Sequence, residues 1–435
     1  MMKKSVFIYT YGCQMNVHDS EKMLGVLTDQ GYLASDAPEK ADLIVFNTCA
    51  IREKAEQKFY SQLGRTKLLK RKNHELKIVV AGCVAQESKE AIFKKAPFVD
   101  FLLGPQHVQR IHEIVSGEGR ASMVEGSCDI TGSVRAERSD PLRAWVSIMY
   151  GCNNFCSYCI VPYTRGREMS RPSESIVEEV RDLREKGYRE VTLLGQNVNS
   201  YRSDTDFTGL LKKVDSTGIE RIRFVTSHPR DISFDLIRAM ADLPGVCEHM
   251  HLPIQSGSDR ILKLMNRGYT YGEYCEKVDF LRKTISGISV TTDIIAGFPG
   301  ETDEDHQETL TALKEIAFDG IFAFKYSPRE GTRAFSMTGH LPEEVRSARL
   351  DAMLKLQEGI TLGKNRTLEG SIFEVLIEGC SETDRNLLTG RTRTNKIVTL
   401  PTGKARGTFV QVKINRARLH SLEGVDVALC GQPSA

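Results

Sequence analysis

Short apolar runs alternate with amphipathic stretches through residues 1–117. The runs SVFIYTYGC, ADLIVFNTC, LKIVVAGC and FVDFLLG predict strands, and NVHDSEKMLGVLTDQG, the charged run 52–72, VAQESKEAIFKKA and PQHVQRIHEIVSG predict helices. Strands that are apolar throughout and separated by helices predict a parallel sheet covered on both faces. Residues 118–143 lose this periodicity and gain Gly, Ser and charge, which predicts a linker. Alternation resumes at 144 with AWVSIMYG, EVTLLGQN, RIRFVTSHP, HMHLPIQSG, SVTTDIIAGFPG and IFAFKYSP, and a helical stretch over 342–368 closes the unit. Six such units predict a partial (βα)6 barrel over 144–369, whose reactive face lies at the C-terminal ends of its strands. From 370 to 435 the period falls to two between turn residues, which predicts a small all-β barrel. The fold class is therefore α/β, with an N-terminal parallel α/β domain at 1–117 and an all-β module at the end.

Charge and composition narrow the chemistry. A net charge of +2 leaves nucleic-acid binding to local patches. The start, MMKKSVFIY, reads as a first strand rather than a signal peptide, and no run has the length of a membrane span. A cytoplasmic protein without membrane contact is expected. Eleven cysteines, an odd count, in a reducing compartment point to metal ligation rather than disulfides.

Two sets stand out. Cys13, Cys49 and Cys83 each follow a predicted strand, after Gly12, Thr48 and Gly82. Strand exits in a parallel sheet line one edge, where ligands bind. The plain alternative is three small buried hydrophobes. Cys152, Cys156 and Cys159 form a C-x3-C-x2-C loop, GCNNFCSYC, after the first barrel strand. A structural zinc site wants four ligands, and the next histidine is His228. An iron–sulfur cube takes one thiolate per iron, so three cysteines leave one iron open to a ligand. Tyr158, before the last cysteine, could lie against an adenine.

This loop resembles the radical S-adenosylmethionine family. In that family the open iron chelates the methionine amino and carboxylate groups, and one electron releases a 5′-deoxyadenosyl radical. Together with the strand-exit cysteines and the terminal module, which is similar to the TRAM domain, the chain resembles the methylthiotransferases. NTCAIREKAEQKF, GCNNFCSYCIVPYTRGRE and EVTLLGQNVNSY most resemble the MiaB subgroup. The resemblance implies conversion of N6-isopentenyladenosine at position 37 of tRNA to its 2-methylthio derivative. It implies two 4Fe-4S clusters, with Cys13, Cys49 and Cys83 as ligands of the auxiliary one. It also implies two S-adenosylmethionines per turnover, one methylating the sulfur and one supplying the radical that opens C2. The expected partners are the anticodon stem-loop, an electron donor such as a flavodoxin and a sulfur or cluster-repair source; the chain itself is expected to be a monomer.

Further candidates carry a functional and a plainer reading. Gln196 and Asn197 stand where the family binds the methionine amino group, although its usual Gly-Gly-Glu is replaced here by Leu194-Gly195-Gln196-Asn197. Ser227, Gln255, Ser256 and Asp293 lie at later strand ends, Arg267 could neutralise a carboxylate or phosphate, and Gly297-Phe298-Pro299-Gly300 could approach the adenine or be only a turn. Arg165 and Arg167 suit tRNA phosphates at the mouth of the site. Arg391, Arg393, Lys396, Lys404, Arg406, Lys413, Arg416 and Arg418 form a basic stripe, which is either a solvated face or an RNA reader. Cys128, Cys247, Cys275, Cys380 and Cys430 read as packing or incidental. No catalytic residue beyond the cluster ligands is assigned. Competing functions are a methylthiotransferase for threonylcarbamoyladenosine or for a ribosomal protein residue, and a non-catalytic metal-dependent RNA-binding protein.

Overall fold

The computed structural model describes residues 4–50, 53–117, 119–126, 134–382 and 384–429. The N-terminal domain runs β1 (Ser5–Thr10), α1 (Gln14–Asp29), β2 (Leu33–Ala34), β3 (Leu43–Thr48), α2 (Glu53–Lys72), β4 (Lys77–Gly82), α3 (Cys83–Ser88), α4 (Ala91–Lys95), β5 (Phe101–Leu103), α5 (Ile111–Ser116) and β6 (Ala121–Met123). Its sheet is wholly parallel in the order β2-β1-β3-β4-β5-β6. Period-two alternation splits the apolar strands between two cores. Ile44, Phe46, Ile78 and Val80 face one helical layer, and Leu43, Val45, Val79 and Ala81 face the other. That is why these strands carry almost no polar residue.

The stretch 118–143 is more than a linker. Ala121–Met123 pairs with β5 as the sixth strand, a run too short to show a period. Further on, Glu137 and Ser139 donate backbone N–H groups to Glu21 of α1, and Arg138 pairs with Glu179 at 2.7 Å. Cys128 lies outside the described residues, as do Cys430 and the Ile51-Arg52 pair of the IREKA run.

The middle of the chain forms β7 (Arg143–Ser147), β8 (Met149–Tyr150), α6 (Val161–Thr164), β9 (Met169–Ser170), α7 (Ser173–Glu185), β10 (Glu190–Leu194), α8 (Phe207–Asp215), β11 (Arg221–Phe224), α9 (Phe234–Asp242), β12 (His249–His251), α10 (Asp259–Leu264), α11 (Tyr271–Thr284), β13 (Ser289–Ala296), α12 (Asp303–Ile316), β14 (Gly320–Lys325) and α13 (Glu343–Arg366). Two parallel sheets, β11-β10-β7 and β12-β13-β14, are joined by the bridge Ile222–Val246. Six strands thus curve into an open barrel, with β7 and β14 as its two free edges. Val146, Val191, Leu193, Ile222, Met250 and Val290 pack outward under the helices.

The terminal module is a closed barrel, β15 (Ile372–Cys380), β16 (Leu388–Thr392), β17 (Ile397–Leu400), β18 (Phe409–Ala417) and β19 (Leu422–Asp426), in the order β15-β16-β17-β19-β18. It seals the N-terminal floor of the open barrel. Arg221 and Arg223 of β11 donate to the backbone carbonyls of Arg391, Thr392 and Arg393 at 2.8–2.9 Å. Among the described residues no helix is long and apolar enough to cross a membrane.

Candidate active site

Adjacency in the first sheet gathers the three strand-exit cysteines. β1, β3 and β4 are neighbours, and Cys13, Cys49 and Cys83 leave them on the same edge. The two glycines before them permit close approach. Gly12 holds φ at +135°, and a Cβ there would stand 2.6 Å from the Cβ of Cys49. Gly82 holds +88°, where a Cβ would stand 2.7 Å from Asn47 Oδ1. Asn16 locks the arrangement: its Oδ1 accepts from the N–H and thiol of Cys13 at 3.3 and 3.4 Å, and its Nδ2 donates to Thr48 O at 3.0 Å. Burial raises the Cys83 thiol, and the Arg165 guanidinium beside it pulls the other way.

The second trio lies on the loop after β8. Cys152 N–H donates to Gly166 O at 3.1 Å, and Cys159 N–H to Cys156 O at 2.9 Å. Arg267 is buried beneath the loop, donating to Cys156 Sγ and Tyr158 Oη at 3.4 Å each and to Pro253 O at 2.7 Å. Burial pushes the thiols of Cys152 and Cys159 up to about 11 and about 12, so both are protonated at neutral pH until a metal displaces the proton.

The two trios share their surroundings. Ile160, next to Cys159, sits in the same apolar cluster as Cys83. Tyr150, two residues before Cys152, packs with Met15, Leu194 and Cys13. Between them Arg165 reaches back to Asp19 of α1 at 2.8 Å, with both side chains buried. Burial opposes the charge of Arg165, but Asp19 and then Cys83 and Cys13 outweigh it and raise its pKa. Lys22 of α1 donates to Tyr150 Oη at 2.6 Å. Among the described residues no three His, Cys, Asp or Glu side chains converge on one point as a single ion requires. Each trio offers three free thiols, the usual ligand type of an iron–sulfur cube.

The other candidates separate into two groups. At the C-terminal end of the open barrel, Gln196 Nε2, Ser227 Oγ and His228 Nε2 are buried with no hydrogen-bond partner among the described residues. Such orphans are costly alone and fit a polar guest such as the methionine part of a cosubstrate. Gln196 Oε1 accepts the Gly151 N–H, which ties it to the loop. His228, beside Ser227 at the same strand exit, is held neutral by burial with its pKa near 2. Gln255 takes φ +73°, a strained value for a side-chain-bearing residue, at a strand exit. Asp293 faces the barrel lumen, 3.4 Å from His251.

The second group is engaged elsewhere. Asn197 is satisfied by Asp231 at 2.6 Å and His228 N–H at 3.1 Å. Ser256 turns to Thr309 of α12. Phe298 is fully buried against Tyr326, and Glu301 accepts the Gly297 and Phe298 N–H groups, so Gly-Phe-Pro-Gly is a turn. Tyr158 packs into the same core while its hydroxyl meets Arg267, whose donors are spent inside the protein.

The residues expected to meet RNA divide in the same way. Arg165 is buried against Asp19. Arg393 pairs with Glu248 at 2.8 Å, Lys396 with Asp319 at 3.1 Å and Arg391 with Glu378 at 3.2 Å. Arg393 and Lys396 thus join the module to the barrel, and Arg391 pairs inside the module. Of the stripe, Lys404, Arg406, Lys413, Arg416 and Arg418 are exposed, Arg406 beside Asp140 and Arg418 beside Glu423. Arg167 remains at the surface, stacked 4.7 Å over Phe155 beside the exposed ring of Tyr163.

Residues 5–104 match the uncharacterized protein family UPF0004, residues 146–313 the Radical SAM superfamily and residues 366–426 the TRAM domain. A tRNA-2-methylthio-N(6)-dimethylallyladenosine synthase of Thermodesulfovibrio yellowstonii is 53% identical over 98% of this chain and 99% of its own length. One of Carboxydothermus hydrogenoformans is 46% identical over 98% and 100%. The chain belongs to the tRNA-2-methylthio-N(6)-dimethylallyladenosine synthase family. Membership in the Radical SAM superfamily implies S-adenosylmethionine and a 4Fe-4S cluster. Among solved structures, the radical S-adenosylmethionine methyltransferase TsrM of Kitasatospora setae superposes with a TM-score of 0.57 over 77% of each chain at 15% identity, which shows a common fold for this synthase family and that enzyme.

Proposed function

We propose that the chain transfers a methylthio group to C2 of N6-isopentenyladenosine at position 37 of tRNA. One 4Fe-4S cluster would be held by Cys152, Cys156 and Cys159 and a second by Cys13, Cys49 and Cys83. The observation that supports this reading is the buried Arg165–Asp19 pair with Cys83 and Ile160 in one apolar cluster, where the stretch that follows the loop trio packs against the domain bearing the strand-exit trio. When bound, the clusters and S-adenosylmethionine supply the radical that opens the unactivated C2–H bond and the sulfur that replaces it. The chain's own part is positioning and charge. Arg165 offsets thiolate charge beside Cys13 and Cys83. Gln196 Nε2 and Ser227 Oγ offer donors to the cosubstrate. Arg267 fixes Cys156 from below, and the packed loop keeps water from the reacting centre.

The anticodon loop suits such a chamber, because single-stranded bases can be splayed out and stacked. Arg167 stands at its mouth, and Lys404, Lys413 and Arg416 are placed to meet stem phosphates. A tRNA substrate places the reaction in the cytoplasm, and we keep a monomeric protein served by an external electron donor, such as a flavodoxin, and by a sulfur or cluster-repair source.

Anaerobic reconstitution tests the reading: about eight irons per chain, together with 2-methylthio product from an isopentenylated stem-loop, is the expected result. About four irons, or product from an unrelated acceptor only, overturns it. Replacing Lys413 and Arg416 with Ala should lower the salt slope of RNA binding by about one per cation. Arg393→Ala should instead lower the melting temperature and leave that slope unchanged. The reverse pattern would return RNA contact to the interface cations.

A further inference from the structure

The open barrel carries an unexplained apolar feature on its last strand. Phe322 and Phe324 of β14 are 55% and 42% exposed. Their strand neighbour Ile321 packs onto the helical core, and Lys325 reaches Ser347 of α13 at 3.3 Å. The two rings therefore point the other way, into the lumen. In register, Phe322 lies beside Asp293 and Phe324 beside Ile295. Apart from Ile295 that face is polar: His251 lies 3.4 Å from Asp293 and 3.0 Å from Thr291 Oγ1, and its ring meets Phe322 edge-on at 5.6 Å. Ile295 in turn packs against the same buried cluster as Tyr158 of the cysteine loop, so the Phe324 end of the strand is the reactive end.

Position adds to composition. β14 and β7 are the free edges of the barrel, and α1 packs against β7. The segment after β14 touches the N-terminal domain through Arg329 and Glu56 at 3.0 Å. A base entering between these edges passes Cys13 and its neighbours on one side and the two phenylalanines on the other. Two rings left in water on a polar wall gain from an apolar guest, since burying apolar surface is favourable.

Resting on the methylthiotransferase reading above, we propose that Phe322 and Phe324 receive the apolar five-carbon N6 substituent of the substrate adenine and so select prenylated over unprenylated RNA. C2 and C6, the carbon that carries N6, flank the same ring nitrogen. A base held by its N6 group on β14 therefore keeps its C2 edge free to face the thiols across the opening.

The test is equilibrium binding of two stem-loop RNAs, with and without the N6-dimethylallyl group, to the reconstituted full-length protein. A single methylene in an apolar pocket is worth roughly 10–200-fold, so the parent should prefer the prenylated RNA by at least about tenfold. F322A/F324A should bring that preference close to one, and F322L/F324L should keep part of it. Equal weakening of both RNAs would mean that the rings stack on bases, and an unchanged preference would place the group elsewhere; either overturns the proposal. A series on the parent protein, with N6 carrying hydrogen, methyl and dimethylallyl, should show affinity rising with each step, and a flat series overturns the proposal without any variant. Failure of the parent to methylthiolate the prenylated RNA would instead strike the functional reading and leave the binding result to stand alone.

Discussion

Cys152, Cys156 and Cys159 lie on one loop, whereas Cys13, Cys49 and Cys83 are contributed by three separate strands. The first trio is local. Its spacing is written in consecutive residues, and its shape depends on loop hydrogen bonds and on Arg267 beneath it. The second trio exists only because β1, β3 and β4 pair side by side in register. A local site can be distorted while its domain stays folded. A distributed site is tied to the sheet, so damage to its supports is felt as lost stability as well as lost ligation.

Removing one cysteine from each trio should separate the two most sharply. Cys156→Ala should abolish both 5′-deoxyadenosine formation and methylthio product. Cys83→Ala should lose about half the iron and all methylthio product while 5′-deoxyadenosine still forms. Methylthio product from Cys83→Ala would remove the need for the second cluster. Next in size is the ion pair that links the trios: Arg165→Ala leaves Asp19 buried and unpaired, at a cost of about 3–5 kcal/mol in urea unfolding. A loss within experimental error would mean that the two domains are not held through this pair.

Smaller effects sharpen the contrast within each trio. Asn16→Ala removes the bridge between Cys13 and the Cys49 loop and should cost about 1–3 kcal/mol, with iron lost from the distributed site alone. On the local loop, the Asn153 side chain donates to the Glu168 carboxylate at 3.5 Å and accepts the Glu168 N–H at 3.3 Å in an exposed setting, so Asn153→Ala should cost under about 1 kcal/mol. Equal losses would erase the distinction. The smallest effect is a pH dependence at the barrel. Burial lowers His228 to about 2 and His249 to about 3. Because their folded values lie below the unfolded one, the stability they contribute is complete above about pH 6.5 and falls as pH drops, by up to about 1.4 kcal/mol per unit for each. Melting curves from pH 7 to pH 5 should show this slope, flattened in H228N/H249N; an unaltered slope would assign it to other groups.

Much of this was legible before any coordinates. Strands such as LIVFNT and KIVVAG are apolar enough to require burial on both faces, and that requirement fixes a parallel sheet and hence the meeting of its exit cysteines. The loop trio needs no fold to be recognised. What escaped reading were partners remote in sequence. Arg165 looks like an RNA contact until Asp19, 146 residues earlier, is found against it. Arg393 and Lys396 sit among Thr392, Thr394 and Asn395, polar company that suits solvated cations, and only the barrel supplies Glu248 and Asp319. Phe322 and Phe324 pass for core residues in IFAFKYSP, because an apolar run does not say that a barrel is open beside it.

The seal between module and barrel has a mechanical consequence. Arg221 and Arg223 grip the backbone of the module, and Arg221 also pairs with Glu374 at 2.9 Å, so the joint is pinned at several points. A stem clasped on the far surface of the module would present its loop to the chamber at a set height. Were a stem clasped there, the length of the clasped helix would set which nucleotide reaches the opening, as a gauge measures before it reads.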